Sequence, residues 1–232
     1  LEARTGSPAE DPGALKGQMM LIPEHLAQAN DALIYGLGLA ASFTCALTGV
    51  LVARDKGVDL FGALMAGIAT SLGGGTVRDL LLGRQVFWMA DETYLWVTVV
   101  TAVLTFFVTR VRHLPENLFL IPDAIGLALF AIVGTQVALD WNMPWLIASL
   151  LGVVTAVFGG LLRDVMINEV PLVFSSELYA TAAWFGSMTV IILDALGVHA
   201  TLAAWVGILV CIAVRLIAIR WKVTLPRFKH HG

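Results

Sequence analysis

The sequence predicts an all-α integral membrane protein with seven transmembrane helices, arranged as two inverted three-helix repeats followed by a seventh helix. Three observations support this prediction. Hydrophobic residues make up 58% of the 232 residues and charged residues only 13%, whereas a soluble domain is roughly half apolar and a quarter charged. The apolar residues gather in segments as long as a membrane helix. Part of the sequence is also duplicated.

Seven apolar segments are long enough to cross the hydrocarbon core, which takes about 20 helical residues. Short polar or proline-bearing breaks separate them, and their unbroken apolar character favours helices over the alternating strands of a barrel. So many spans leave no room for a sizeable soluble domain. The predicted spans are Asp31–Arg54, Asp59–Leu82, Glu92–Arg110, Leu118–Leu139, Pro144–Ile167, Ser176–Leu196 and Thr201–Arg220.

Basic residues lie after the first, third and seventh spans, whose ends fall on one face of the membrane. The positive-inside rule assigns that face to the cytoplasm, so we expect the N-terminus outside and the C-terminus in the cytoplasm. These basic residues are Arg54, Lys56, Arg110, Arg112, Arg220, Lys222, Arg227 and Lys229.

The chain aligns with itself at a shift of 85 residues, which pairs GGTVRD (Gly74–Asp79) with GGLLRD (Gly159–Asp164). Each copy holds three spans, an odd number, so the second copy enters the membrane from the opposite face. We therefore expect five parts: a polar N-terminal tail at 1–28, a first repeat at 29–113, an inverted repeat at 114–198, a seventh helix at 199–221 and a basic tail at 222–232.

Adjacent glycines interrupt the second and fifth spans at Gly73, Gly74 and Gly75 and at Gly159 and Gly160. Glycine weakens a helix, so these positions predict a bend or an unwound turn near the midplane, with free carbonyls from residue 72 to 74 and free amides from 76 to 78. Carbonyls would suit a cation and amides an anion. The alternative is close helix packing, because small residues recur every fourth position around both sites.

An Arg-Asp pair follows each glycine break: Arg78 with Asp79, and Arg163 with Asp164. Charges at that depth are costly and must pair or meet water. Adjacent residues on a helix do not face each other, so we expect each arginine to bind a carbonyl or a carboxylate elsewhere, with Asp123 in the fourth span a candidate. Either a structural salt bridge or a place in a permeation vestibule fits these pairs.

Other polar residues give weaker signals. Four threonines share one face of the third span and either line a pathway or bond to their own backbone, which we favour. The histidines lack metal-ligand spacing, and no nucleophile, base and orienting group come together. We therefore expect no metal site, no cofactor and no enzyme, and no nucleic acid as partner. The threonines are Thr98, Thr101, Thr105 and Thr109.

Several motifs in order resemble the bacterial and archaeal relatives of the trimeric intracellular cation channels, whose domain is also named glycine transporter. They are GGGTVRDLLLGR followed by Phe87 and Trp88, then DAIGLALFAIVGT (Asp123–Thr135), then FGGLLRD. The resemblance covers nearly all of residues 31–220. It implies a homotrimer in the prokaryotic inner membrane, with one pore through each protomer for potassium and other monovalent cations.

The resemblance also implies which residues line the pore. In that family the kinked second and fifth helices form it, which places the kinks at the glycines named above. The polar positions beside them are Thr70, Ser71, Thr76 and Thr155. The animal members bind an acidic phosphoinositide through a basic residue near the pore, and these spans hold no corresponding lysine. Membrane lipids remain expected partners.

Two other functions stay open at this point. One is a carrier for a small solute such as glycine, in which the amides at Thr76 and Leu161 hold a carboxylate. The other is a structural trimeric scaffold that transports nothing.

Overall fold

The computed structural model describes residues 24–112, 115–175 and 178–223, and these residues form helices and turns without a strand. Six of their helices are long and apolar enough to cross a membrane, while Tyr179–Ala195, with 17 residues, is shorter. The all-helical fold is therefore confirmed, and the count of seven membrane crossings stays a prediction. The long helices are α1 Glu24–Arg54, α2 Leu60–Leu81, α3 Thr93–Val111, α4 Leu120–Asp140, α5 Trp145–Met166, α6 Tyr179–Ala195 and α7 Ala200–Trp221.

The helix ends fall close to the predicted span ends. Helix α1 is helical from Glu24, the first described residue, and so includes residues before the predicted span start at Asp31. The residues added are mostly good helix formers, so the helix continues beyond its apolar part. The predicted start of the sixth span, Ser176, lies outside the described residues.

Turn residues with left-handed backbone conformations repeat at the same shift as the sequence motifs. Gly57 and Asn142 end the turns after α1 and α4, and Gly83 and Asn168 follow α2 and α5, all with φ between 55° and 66°. Each pair differs by 85 in residue number. Glycine and asparagine adopt this conformation at the lowest cost, so the two repeats use the same chain reversals.

The main buried cluster lies where α1, α4, α5, α6 and α7 meet, and alanine and cysteine make up nearly half of it. Ala41, Ala128, Ala131 and Ala182 have no exposed surface, which brings the helix backbones close together. Many large apolar side chains point outward. Phe61 is 68% exposed, as expected of a chain whose outer face meets lipid.

Candidate functional site

Helices α2 and α5 cross at two glycines that touch the backbone of the opposite helix. A Cβ atom built on Gly74 would lie 2.0 Å from the carbonyl oxygen of Thr155, and one on Gly159 would lie 2.1 Å from that of Thr70. Only a hydrogen atom fits in either place. The two contacts are equivalent under the 85-residue shift, so the crossing lies on the pseudo-two-fold axis that relates the repeats.

The glycines do not unwind these helices, so that part of the prediction is wrong, and the alternative of a bend stays a prediction. Helix α2 runs without a break through Gly73, Gly74 and Gly75, and α5 runs through Gly159 and Gly160. The predicted free carbonyls and amides are therefore not formed. Tertiary contact explains this outcome, because the close crossing offsets the cost of about 1 kcal/mol that each glycine adds to a helix.

The flanking glycines also receive neighbouring side chains. A Cβ on Gly73 would lie 2.7 Å from Leu162 Cδ1, and one on Gly75 would lie 2.5 Å from Phe87 Cε1. The structure therefore supports the close-packing interpretation of these small residues.

The hydroxyl groups predicted to line the pore donate hydrogen bonds to backbone carbonyls. Thr70 and Thr155 both donate over 2.6 Å to the residue four positions earlier, and Thr76 does so over 2.7 Å. Ser71 donates over 3.0 Å to the carbonyl of Ser42. Each of these hydroxyl oxygens keeps a lone pair that can accept a further hydrogen bond or bind a cation. At Thr76 the indole N–H of Trp88 donates to this oxygen over 3.0 Å.

The threonine face of α3 follows the interpretation that we favoured. Thr98, Thr105 and Thr109 donate hydrogen bonds to carbonyls of their own helix, over 2.8, 2.7 and 3.0 Å. The Thr98 hydroxyl also lies 2.7 Å from the Ser71 hydroxyl, which joins α3 to α2.

Arg78 and Arg163 each pair with the aspartate that follows in sequence. Arg78 Nε lies 2.8 Å from Asp79 Oδ1, and Arg163 Nε lies 2.8 Å from Asp164 Oδ1. The expectation that adjacent residues do not pair is wrong here. Although the two Cβ atoms point in different directions, the long arginine side chain bends back and reaches the carboxylate.

The second oxygen of each aspartate caps the short helix that follows. Asp79 Oδ2 accepts a hydrogen bond of 2.8 Å from the amide of Phe87, and Asp164 Oδ2 accepts one of 3.0 Å from that of Leu172. These residues begin the short helices Phe87–Ala90 and Leu172–Ser175, which are again equivalent. Each aspartate thus binds an arginine side chain through one oxygen and the first amide of a short helix through the other.

A second ion pair distinguishes the two repeats. Arg163 Nη1 lies 3.6 Å from Asp123 Oδ1, so the predicted partner in α4 is present. In the first repeat, Asp79 Oδ1 instead has Arg84 Nε at 3.6 Å. The first site therefore gathers two cations around one carboxylate, and the second gathers two carboxylates around one cation.

A cavity borders each arginine, and the two cavities are copies of each other. The Arg78 cavity has a volume of about 220 Å³ and the Arg163 cavity about 410 Å³. Six pairs of lining residues are 85 positions apart: Ile34 and Phe119, Val137 and Val52, Asp140 and Asp55, Arg78 and Arg163, Arg84 and Glu169, Phe87 and Leu172.

The cavities lie at opposite ends of the same helix. Asp31, near the start of α1, lines the Arg78 cavity, whereas Asp55, just after the last residue of α1, lines the Arg163 cavity. Two equivalent cavities therefore enter the helix bundle from opposite faces, with the α2–α5 crossing between the arginines that border them.

Charged loop residues complete the Arg163 cavity. Lys56 forms an ion pair with Glu169, and this cation lowers the pKa of the Glu169 carboxyl below its ordinary value. The pair joins the turn after α1 to the end of α5 at the mouth of the cavity.

Sequence reasoning missed several residues of the site. Tyr94 and Phe87 line the Arg78 cavity with their rings 4.8 Å apart, and Tyr94 packs against Gly38, where a Cβ atom would lie 2.9 Å from the Tyr94 hydroxyl. Tyr94 and Tyr179 were already a matched pair in the self-alignment. The mismatch of Gly38 with Asp123 in the same alignment was the signal that the two sites differ.

The fold and the site define an all-helical membrane protein built from two repeated units. The glycine transporter family model matches the chain twice, at residues 35–110 and 120–195, which begin 85 residues apart. The chain belongs to this family, the prokaryotic branch of the trimeric intracellular cation channel family, and the resemblance inferred from the motifs is confirmed.

The relatives cover most of the chain. A UPF0126 membrane protein of Vibrio cholerae is 39% identical over 201 residues, which are 86% of this chain and 84% of that protein. The UPF0126 inner membrane protein YadS of Escherichia coli is 39% identical over 208 residues, covering 84% and 96% of the two chains.

Solved structures share the fold. A trimeric intracellular cation channel orthologue from Rhodobacter sphaeroides has a TM-score of 0.79 and 36% identity, over 82% of this chain and 99% of that one. A second structure, of a TRIC cation channel, has a TM-score of 0.78 and 34% identity, over 84% and 97% of the two chains.

Proposed function

We propose that this protein is a potassium-permeable channel for monovalent cations, a homotrimer in which each protomer has a pore lined by the glycine-rich helices α2 and α5. The observation that carries the proposal is the pair of equivalent cavities that enter from opposite faces and end at Arg78 and Arg163, each about one helical turn from the α2–α5 crossing. The similar structures are described as trimeric intracellular cation channels, which supports the same reading. The chain acts as a passive pore and not as an enzyme.

The chemistry between the cavities suits a weakly bound cation. Arg78 and Arg163 are each paired with an adjacent aspartate, which offsets the positive charge of the guanidinium beside the path. Hydroxyls of Thr70 and Thr155 and the backbone carbonyls at the crossing are neutral oxygen ligands, which replace water around a monovalent ion without trapping it. Conduction requires α2 and α5 to separate at this crossing, where the two glycines touch backbone.

We further propose that the chain lies in the prokaryotic inner membrane with its N-terminus outside. The relative YadS is an inner membrane protein, and the basic residues after α1, α3 and α7 support this orientation. The Arg78 cavity then opens to the outside and the Arg163 cavity to the cytoplasm. Lipids contact the exposed apolar faces of the helices.

Recording single channels of the purified protein in planar bilayers, under a potassium chloride gradient, tests the proposal. We expect a current that reverses near the potassium equilibrium potential, and replacing potassium with a large organic cation should abolish it. Reversal at the chloride potential, or the absence of channels from folded trimer, would overturn the cation-channel assignment.

A carrier for a small zwitterion such as glycine is the second candidate, favoured by the name of the family, glycine transporter. The carboxylate site that the sequence suggested, at the amides of Thr76 and Leu161, is not formed because both residues lie inside continuous helices. Uptake of labelled glycine into proteoliposomes separates the candidates: saturable uptake with counterflow supports a carrier, and ion current without it supports a channel.

A further inference from the structure

Two side-chain bridges connect the residues that flank α2 with those that flank α5. In one bridge, Lys56 forms an ion pair with Glu169. In the other, the guanidinium carbon of Arg84 lies 5.7 Å from the centre of the Trp141 ring. Lys56 and Trp141 are 85 positions apart, and so are Arg84 and Glu169. The pseudo-two-fold axis of the repeats therefore relates the two bridges.

Each bridge joins the start of one central helix to the end of the other. Lys56 lies in the turn that leads into α2, and Glu169 follows the last turn of α5. Trp141 lies in the turn that leads into α5, and Arg84 follows the last turn of α2. The α2–α5 pair is therefore bridged at both of its ends, on opposite faces of the protein.

Both bridges lie at the mouths of the cavities. Lys56 and Glu169 line the Arg163 cavity, and Arg84 lines the Arg78 cavity. The side chains of both bridges are at least partly exposed, so water and ions reach them. The proposed channel requires α2 and α5 to separate at their crossing, and a bridge between their ends resists that movement.

The two bridges differ in the force that holds them. Lys56 and Glu169 are opposite charges at an exposed place, and salt screens such a pair. Arg84 and Trp141 attract each other as a cation and an aromatic face, and the ring has no net charge for salt to screen. In each repeat the partner suits the residue that it faces, although Arg84 and Glu169 have opposite charges at equivalent positions.

We propose that the two bridges hold the ends of α2 and α5 together, that each mouth opens when its own bridge breaks, and that salt controls only the Lys56–Glu169 bridge. This inference rests on the proposed channel function and adds the regulation of its two mouths. In the orientation proposed above, ionic strength in the cytoplasm regulates opening and ionic strength outside does not.

Charge reversal in planar bilayers tests the ionic bridge. Lys56→Glu and Glu169→Lys each replace attraction with repulsion, and we expect each to raise the ratio of open to closed time about two- to fivefold, the range of exposed ion pairs. The double variant reverses both charges, restores the attraction and should return to the wild-type ratio. Lys222→Glu, the same change at an exposed residue after α7, is the matched control.

The two single variants also separate a bridge from a general effect of charge at the mouth. Lys56→Glu makes the mouth more negative and Glu169→Lys makes it more positive, so the local concentration of cations changes in opposite directions. The current through the open channel should follow that concentration. The open-to-closed ratio should instead rise in both variants, because both break the same bridge.

Trp141 is the residue to change in the other bridge, because Arg84 Nε also lies 3.6 Å from the buried Asp79 Oδ1. Trp141→Leu removes the aromatic face and should raise the open-to-closed ratio about two- to fivefold, the range of exposed cation–π contacts. Trp141→Phe keeps an aromatic face and should stay closer to wild type. Equal ratios for Trp141→Leu and wild type would contradict a role for this bridge.

One-sided salt tests the difference between the bridges in the wild-type protein. N-methyl-D-glucamine chloride, added at constant potassium, raises the ionic strength on one side of the bilayer. We expect the open-to-closed ratio of any one channel to rise, by at most about fivefold, when this salt is added on one side and to stay unchanged when it is added on the other.

The outcomes separate this inference from the channel proposal. If folded wild-type trimers carry no cation current, the channel proposal fails and this inference fails with it. If they conduct, the ionic bridge is wrong when Lys56→Glu and Glu169→Lys gate as Lys222→Glu does, when they move the ratio in opposite directions, or when the double variant does not recover. If a charge variant no longer elutes as wild type, one-sided salt decides: no response, or an equal response from both sides, contradicts the inference.

Discussion

Gly74 shows most clearly how little space a single residue has in this protein. Replacing it with alanine puts a methyl group 2.0 Å from the Thr155 carbonyl oxygen, so α2 and α5 must move apart. We expect Gly74→Ala to cost about 1–3 kcal/mol, as overpacking does, and to melt several degrees below wild type in detergent. Gly159→Ala should behave alike, since its contact is equivalent.

Gly36→Ala is the matched control, because a Cβ atom at Gly36 meets nothing within 4 Å on the same bundle. That variant should be as stable as wild type or slightly more so, since alanine favours a helix over glycine. Equal melting temperatures for Gly74→Ala and Gly36→Ala would contradict the close crossing.

The chain also contains a built-in comparison between a buried and an exposed Arg-Asp pair. Asp79→Ala leaves Arg78 buried without its carboxylate, and we expect a loss of about 3–5 kcal/mol. Asp55→Ala breaks the similar pair between Asp55 and Arg54. Because the Asp55 side chain is 46% exposed, this change should cost at most about 1 kcal/mol. Thermal melts of both variants measure these losses of stability. Comparable losses for Asp79→Ala and Asp55→Ala would show that the buried pair does not stabilise the fold more than the exposed one.

The sequence could predict most of the buried charged residues, but it missed Arg215 in α7 and did not predict how the others pair. Their depth followed from their place inside apolar segments, and Arg78 and Arg163 are indeed buried. Their partners depend on side-chain rotamers, because an arginine is long enough to bend toward an adjacent aspartate. The contrast between Gly38 and Asp123 was visible in the self-alignment, yet its meaning needed the cavity and the ion pair.

At the scale of elements, the Lys56–Glu169 pair ties the turn after α1 to the end of α5. The pKa of Glu169 is lowered in the folded protein, below the ordinary value of about 4.3. Its contribution to stability is therefore present above that pH and is lost as the pH falls through the folded-state pKa.

Replacing Glu169 with glutamine tests this link. Glu169→Gln should melt slightly below wild type at pH 7, and the difference should vanish at a pH well below 4.3, where the wild-type carboxyl is also neutral. High salt at pH 7 should reduce the difference, because both side chains are partly exposed. A difference that stays constant with pH would assign the effect to something other than charge.

Helix positions were predictable because a membrane helix needs a long apolar segment, and such segments are plain in this sequence. The continuity of α2 and α5 was not. Single-helix reasoning counts the cost of three adjacent glycines, whereas the close contact that offsets this cost lies on another helix, at Thr155. The helical residues of α1 before Asp31 were not predicted, because a search for apolar spans passes over polar helical turns.

At the scale of the whole molecule, the proposed homotrimer has a direct test. Light scattering of the detergent-solubilised protein, corrected for bound detergent, should give the protein mass of three 24.9 kDa chains. A stable mass of one or two chains in mild detergents would contradict the trimer. The proposal of a pore inside each protomer would still be open to the conductance test.

The central claim is that one cavity from each face leads to the α2–α5 crossing, and single cysteines at Val137 and Val52 test it most directly. These residues are equivalent in the two repeats, and each lines one cavity. A charged thiol reagent should modify Val137→Cys from one side of the bilayer only and Val52→Cys from the other, and each modification should reduce the potassium current. Modification of both from the same side, or without any change in current, would contradict the account.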